Sequence, residues 1–331
     1  MSGRMANFVQ YTSYFTGAMA ACGVVTNGIS LSFFLRKTER QLGNQLLVLL
    51  NITDIVVCIY CFACQIVSFL ILPSMAKIPV SGSYVAALLV VNGGIRFCTE
   101  VSALVTTFLC VVRMLAMVYP LRPICKQLIF KSLSVITGYL VAKEIFSAVF
   151  SYPELKKFII STGVVEGSCP ETLQDWIAND LSRYVKQYLF YNIIPVLEML
   201  VMIILVTTCS FISMKKLTTP DAALGVVNRN DSNNRAAMMV IILGGLFVLF
   251  NSVWACVRGT QCIQMMVLEW DDCEVVQHFF QTTMLLFVVG STFTPLNSAL
   301  NPVVYMKRNT ELRSYVTGRI TAVVNKIRGS C

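Results

Sequence analysis

An all-α membrane protein is the fold class this sequence predicts, built as a seven-transmembrane helix bundle with a short amphipathic helix after the seventh span. Three observations carry that expectation. The first is composition: of 331 residues, 56% are hydrophobic and 13% charged, and the mean hydropathy is +0.70, whereas soluble domains are about 25% charged. The second is a set of seven apolar runs of spanning length, at 10–34, 43–72, 84–118, 132–152, 185–214, 236–257 and 276–305. The third is the sorting of charge between alternate connections. One set holds Arg36, Lys37, Arg40, Arg122, Lys126, Lys131, Lys215, Lys216, Arg229, Arg235, Lys307, Arg308, Arg313, Arg319, Lys326 and Arg328, against only Glu39, Asp221, Asp231 and Glu311. The other is acidic on balance, with Glu154, Glu166, Glu171, Asp175, Asp180, Glu269, Asp271, Asp272 and Glu274. By the positive-inside rule the N-terminus lies outside and the C-terminus inside, in a multi-pass membrane protein. The net charge of +9 then belongs to the cytosolic face, where it suits membrane lipids and a cytosolic protein and argues for no nucleic acid.

The first run starts without a basic leader or a small-residue cleavage site, so it reads as a true span rather than a signal peptide. It carries Asn27-Gly28 at mid-depth, a polar group beside a residue that permits close backbone approach. The second, NQLLVLLNITDIVVC, strands Asp54 in apolar surroundings. A lone buried carboxylate must be neutral, paired or holding a cation. Its Asn51-Ile52-Thr53 sequon lies inside the membrane and is accidental, and Pro73 ends the run.

The third run contains Arg96, Glu100, Ser102 and Arg113. Arg96 and Glu100 stand four apart, where they can satisfy each other. Ser102 lies about 16 Å along the helix from Arg113 and on the same face, at a depth suited to meeting Asp54. Arg113 falls at the cytosolic mouth, where the plain reading is a snorkelling interfacial arginine.

The fourth run carries Lys143-Glu144, and the connection after it contains FIISTGVVEGSC, which predicts a short β-hairpin ending at Cys169. Pro195 predicts a kink in the fifth. The sixth has a Gly244-Gly245 pair and no proline. The last run closes on STFTPLNSALNPVVYMKR. In a soluble helix Pro295 and Pro302 would each cost about 3 kcal/mol, but in a membrane bundle neighbouring groups can re-satisfy the freed carbonyls. Asn297, Ser298 and Asn301 at one depth suggest a buried hydrated site, against the plainer reading of helix–helix glue. Beyond Tyr305, residues 307–318 have an amphipathic pattern for the inner leaflet, completing a receptor-like domain over 1–318 with a short cytosolic tail at 319–331.

Most cysteines sit in the runs and read as small apolar fillers; Cys169, Cys262 and Cys273 are placed for oxidation. With His278 as the only histidine and no HExxH or GxSxG motif, no enzyme activity is expected. No inverted repeat of broken helices suggests a transporter.

Together these residues resemble a rhodopsin-like (class A) G-protein-coupled receptor, over nearly the whole chain. Asn301-Pro302-Val303-Val304-Tyr305 matches the NPxxY of the family's seventh helix, Asp54 its second-helix aspartate, Asn27 its first-helix asparagine, and Pro195 its fifth-helix proline. Arg113, with Pro120 in RMLAMVYPLRP, is similar to the DRY arginine and the PL that follows it. The resemblance implies a sodium and water pocket at Asp54, Ser102, Asn297, Ser298 and Asn301, with Na+ at Asp54. It also implies a switch made of Arg113, Pro302, Tyr305 and Pro120 that opens a cytosolic cleft toward a heterotrimeric G protein.

The chain departs from the family in ways that bear on signalling. Val112 replaces the acid before Arg113, no acid opens the sixth span, and Asn251-Ser252-Val253 replaces its tryptophan–proline pair. The resting state is therefore expected to be weakly held. No cysteine stands near Leu88, where the family places the bridge to the second outer loop, so Cys169 is free or pairs with Cys273 or Cys262. The extracellular ligand is left open as a peptide or a small molecule. Ile95, Arg96, Asn251, Trp254, Glu269 and Asp272 are the candidate contacts. Ile95 in place of the aminergic aspartate argues against a monoamine. A chemosensory or odorant-type receptor and a receptor-like protein that does not couple are the alternatives.

Overall fold

In the computed structural model, residues 3–36, 42–71, 82–119, 125–161, 181–218, 231–267 and 273–328 are described. Their secondary structure is helical throughout, with no strand. The helices are α1 (Gly3–Arg36), α2 (Leu42–Ile71), α3 (Gly82–Val118), α4 (Lys126–Ser161), α5 (Leu181–Thr218), α6 (Asp231–Val267), α7 (Cys273–Arg308) and α8 (Thr310–Arg328). Residues 158–161, expected as the first strand of a hairpin ending at Cys169, are instead the last turn of α4; the rest of that hairpin, the Pro73 stop and Pro120 lie outside the described residues.

Among the described residues, five stretches are long and apolar enough to cross a membrane: Gln10–Arg36, Leu42–Ile66, Gly93–Val118, Asn192–Thr218 and Asn234–Gln264. They correspond to the first, second, third, fifth and sixth runs of the sequence. At 1.5 Å per residue, α4 and α7 have the length to span as well, but Lys143-Glu144 interrupts the one and Pro295 and Pro302 lie inside the other. Large apolar side chains stand exposed on the outer surface, among them Val135, Ile145 and Val149 of α4 and Val201, Ile204 and Phe211 of α5. Such a surface is costly in water and natural in lipid.

α3 is the hub of the packing, against α2, α4, α5 and α6, while α7 packs on α1, α2 and α6. The core runs through Leu46, Leu50, Val105, Leu109, Leu243, Phe247 and Tyr305, all nearly or fully buried. Glycine sets two of the closest helix approaches. A Cβ on Gly23 would lie 2.5 Å from the Cys58 sulfur, bringing α1 onto α2, and one on Gly94 would lie 2.5 Å from the Tyr60 ring. Gly28, the residue the sequence suggested for such an approach, faces open space. Gly94→Val is expected to wedge α2 from α3 and destabilise the protein by about 1–3 kcal/mol, as overpacking does, measured as a lower thermal unfolding midpoint.

α7 ends at Arg308, and α8 starts after Asn309, whose Oδ1 accepts the N–H groups of Glu311 and Leu312, both at 3.1 Å. That is a helix N-cap, so the chain breaks and restarts here. The restarted helix is longer than the sequence pattern suggested, since it passes residue 318 and takes most of the expected tail into Thr310–Arg328. Leu312 is fully buried and belongs to the main core. Tyr315 packs on Phe33 at 5.7 Å, with Arg36 and Arg319 each about 5 Å from its ring.

Candidate functional site: a buried polar junction at Asp54

α7 is the helix that must be explained first, because Pro302 has no N–H to offer the carbonyl one turn back. That carbonyl belongs to Ser298, and Asn27 Nδ2 of α1 donates to it at 2.9 Å while also donating to Gly23 O at 2.8 Å. The helix defect is thus the socket that fastens α1 to α7. With its carbonyl engaged, Ser298 keeps its hydroxyl for another partner.

That partner is Asp54. The carboxylate has 0% exposure and accepts three side-chain hydrogen bonds. Ser102 Oγ of α3 donates to Oδ1 at 2.8 Å, Ser298 Oγ to Oδ1 at 3.0 Å, and Asn301 Nδ2 to Oδ2 at 2.7 Å. One acid therefore ties α2 to α3 and α7, and Asn27 adds α1 through Ser298. All three distances lie within ordinary hydrogen-bonding range.

Beside this junction lies a cavity of about 10 Å³ lined by Ser102, Asn297, Ser298, Thr99, Thr294 and Asn251, and roofed by Phe247, Phe250, Trp254 and Phe293. It is about the size of a single water. Asn297, Ser102 and Ser298 line it directly. Asn51, one turn before Asp54, is fully buried and donates to Leu47 O at 2.7 Å.

One turn beyond Asn301, Tyr305 is fully buried, and among the described residues its hydroxyl has no hydrogen-bond partner. Its ring meets Phe34 of α1 edge-on at 5.5 Å. Arg113 folds against the start of α2: a Cβ on Gly43 would lie 2.9 Å from its Nη2. Its Nε is buried without a hydrogen-bond partner, and Val112, where the resemblance calls for an acid, is buried in the core.

The candidate ligand contacts do not converge. Asn251 and Trp254 line the cavity above Asp54. Ile95 packs instead on the cluster of Ala20, Val57 and Cys58, and Arg96 turns to Glu144 of α4 at 3.4 Å. The expected Arg96–Glu100 pair is replaced, because Glu100 accepts from Lys143 at 2.7 Å. Lys143 rises from a neighbouring helix and reaches Glu100 directly, whereas an i,i+4 pair must bend along its own helix. Cys262 is a buried free thiol, which removes it as a disulfide partner. Cys169, Glu269, Asp272, Pro120 and the Cys273 side chain lie outside the described residues.

Sequence reasoning missed Gly43 and Phe34, the neighbours of Arg113 and Tyr305. No motif flags either; only the close packing shows them. A scan of the sequence against protein-family models finds no match, nor does a search of curated proteins.

Proposed function

We propose that this chain is a rhodopsin-like G-protein-coupled receptor with seven spans, its N-terminus extracellular and its C-terminus cytoplasmic in the plasma membrane. It binds an extracellular ligand and activates a heterotrimeric G protein. The observation that supports this reading best is the junction itself: Ser102, Ser298 and Asn301, which the resemblance groups with Asp54 in one pocket, each donate to the Asp54 carboxylate at 2.7–3.0 Å.

The resemblance implies a sodium ion here, and the donor set fits one. A carboxylate offers about four lone-pair positions, and Asp54 uses three of them on neutral donors, so its charge is not compensated by any cation among these partners. The hydroxyl and carbonyl oxygens of Ser102, Ser298 and Asn297 beside the cavity are hard ligands of the kind Na+ prefers. Asp54, Ser102, Asn297 and Ser298 would hold the ion, which when bound supplies the positive charge that the buried acid lacks.

The rest is done by the chain's own residues. The junction fastens α7 to α2 and α3, so a ligand bound from outside acts by favouring one of two arrangements of these helices. Tyr305, with its hydroxyl buried and unsatisfied, is poised to leave its place beside Phe34 for one where that hydroxyl finds a partner. Arg113, resting on Gly43 with no acid beside it, is held weakly and is available to a G-protein helix when the cytosolic face opens.

The test is expression of the full chain in cells that carry a promiscuous G protein. Second-messenger levels without ligand are expected to stand above those of mock-transfected cells; background levels would contradict the expectation of raised basal signalling. Gly43→Leu, which takes the space where Arg113 rests, is expected to raise the basal level further at equal surface expression.

A further inference from the structure

Two cations and three carboxylates meet where α3, α4 and α5 adjoin, and their charges do not balance. Lys143 Nζ donates to Glu100 Oε2 at 2.7 Å and to Glu198 Oε2 at 2.6 Å. The Tyr139 hydroxyl donates to Glu198 Oε1 at 2.8 Å. Arg96 pairs with Glu144 across the α3–α4 seam at 3.4 Å, a contact whose geometry supplies no hydrogen bond to Glu144 Oε1. With every group ionised, Arg96 and Lys143 face Glu100, Glu144 and Glu198, one negative charge too many.

Among the described residues, Asp54 and Tyr60 of α2 and Arg258 of α6 are engaged elsewhere. Asp54 of α2 is held by Ser102, Ser298 and Asn301, and Tyr60 of α2 lies over Gly94. Arg258 of α6 donates to Asn192 and Gln261 and lies against the Trp254 ring. The groups whose charge acts on Glu100 are Lys143, Glu144 and Arg96.

The imbalance is visible atom by atom. Glu100 is 3% exposed, yet its Oε1 has no donor, and neither does Glu144 Oε1. An uncompensated charge among apolar helices is expensive, and so are buried acceptors without donors. One remedy answers both: a proton. The Glu100 and Glu144 side chains are only 4% and 11% exposed, so solvent does not compensate the excess charge. Among the described residues no three His, Cys, Asp or Glu side chains are grouped to hold a metal ion.

We propose that Glu100 holds one exchangeable proton, which makes the α3–α4 seam a proton-binding site separate from the Asp54 junction. The proton leaves two cations facing two carboxylates, and it turns one orphan acceptor into a donor. Because α4 touches α5 only lightly, Lys143 and Tyr139 on Glu198 are the main polar tie between them. Loss of the proton would draw Lys143 toward Glu100 and loosen that tie. The inference does not depend on coupling to a G protein, so it can fail or hold by itself.

The experiment is infrared spectroscopy of the purified full-length protein in lipid nanodiscs, titrated from mildly acidic to alkaline buffer. A protonated-carboxyl stretch is expected at neutral pH that disappears on alkaline titration. Charge counting predicts that Glu100→Gln, and separately Glu144→Gln, removes it, because each leaves two cations with two acids. Lys143→Gln leaves one cation with three acids and is expected to increase the band about twofold, since a second proton is then needed. Loss of the band in either Glu→Gln variant supports the site. A band that is absent in the wild type, or unchanged in both variants, overturns it. The two Gln variants are near-isosteric, so failure of one to fold leaves the other to decide.

Discussion

Asp54→Ala is expected to destabilise the protein by roughly 3–5 kcal/mol, the range for removing one member of a buried charged network. Three donors lose their acceptor at once: the hydroxyls of Ser102 and Ser298 and the amide of Asn301. Each buried donor left unpaired costs about 1–3 kcal/mol, and partial rearrangement around the cavity beside them recovers some of that sum. The loss should appear as a lower thermal unfolding midpoint of the protein in nanodiscs. Ser298→Ala should cost only about 1 kcal/mol, because Asn27 bonds the Ser298 backbone carbonyl, which the substitution leaves in place. An Asp54→Ala variant as stable as the wild type would mean that the junction is a bystander to the fold.

Arg113→Ala is expected to bring ligand-independent second-messenger production down to the level of mock-transfected cells, with surface expression unchanged. The side chain lies against Gly43 at the start of α2, and among the described residues its Nε makes no hydrogen bond. On the receptor reading proposed above, the substitution removes the cation offered to a G protein, where a buried or half-desolvated charge contributes most to binding. Basal signalling that survives the substitution would favour a protein that binds ligand without using this arginine to couple.

The fold was largely legible because its signal is one of composition. An apolar run of spanning length admits few structures other than a helix, and charges sorted by connection are counted without knowing the packing. The Asp54 junction was legible for a related reason: a stranded acid needs donors, and Ser102, Ser298 and Asn301 were the polar groups available at its depth. The ionic cluster was not. Lys143 meets acids 43 and 55 positions away, and the i,i+4 spacing of Arg96 and Glu100 suggested a local pair that a neighbouring helix outcompetes. In a helix that is apolar on most sides, such as α4, sequence periodicity does not say which face meets which neighbour. Gly43 and Phe34 were illegible for the same reason, since their roles exist only once helices are in contact.

The central claim is that the charge on Asp54 organises α2, α3 and α7 around a site for a small cation. Its most direct test is the thermal unfolding midpoint of the purified protein with sodium chloride or with choline chloride at equal ionic strength, in the wild type and in Asp54→Asn. The account predicts a higher midpoint in sodium for the wild type and no difference between the two salts for Asp54→Asn. Equal midpoints in the wild type, or a sodium effect that persists in Asp54→Asn, would contradict it.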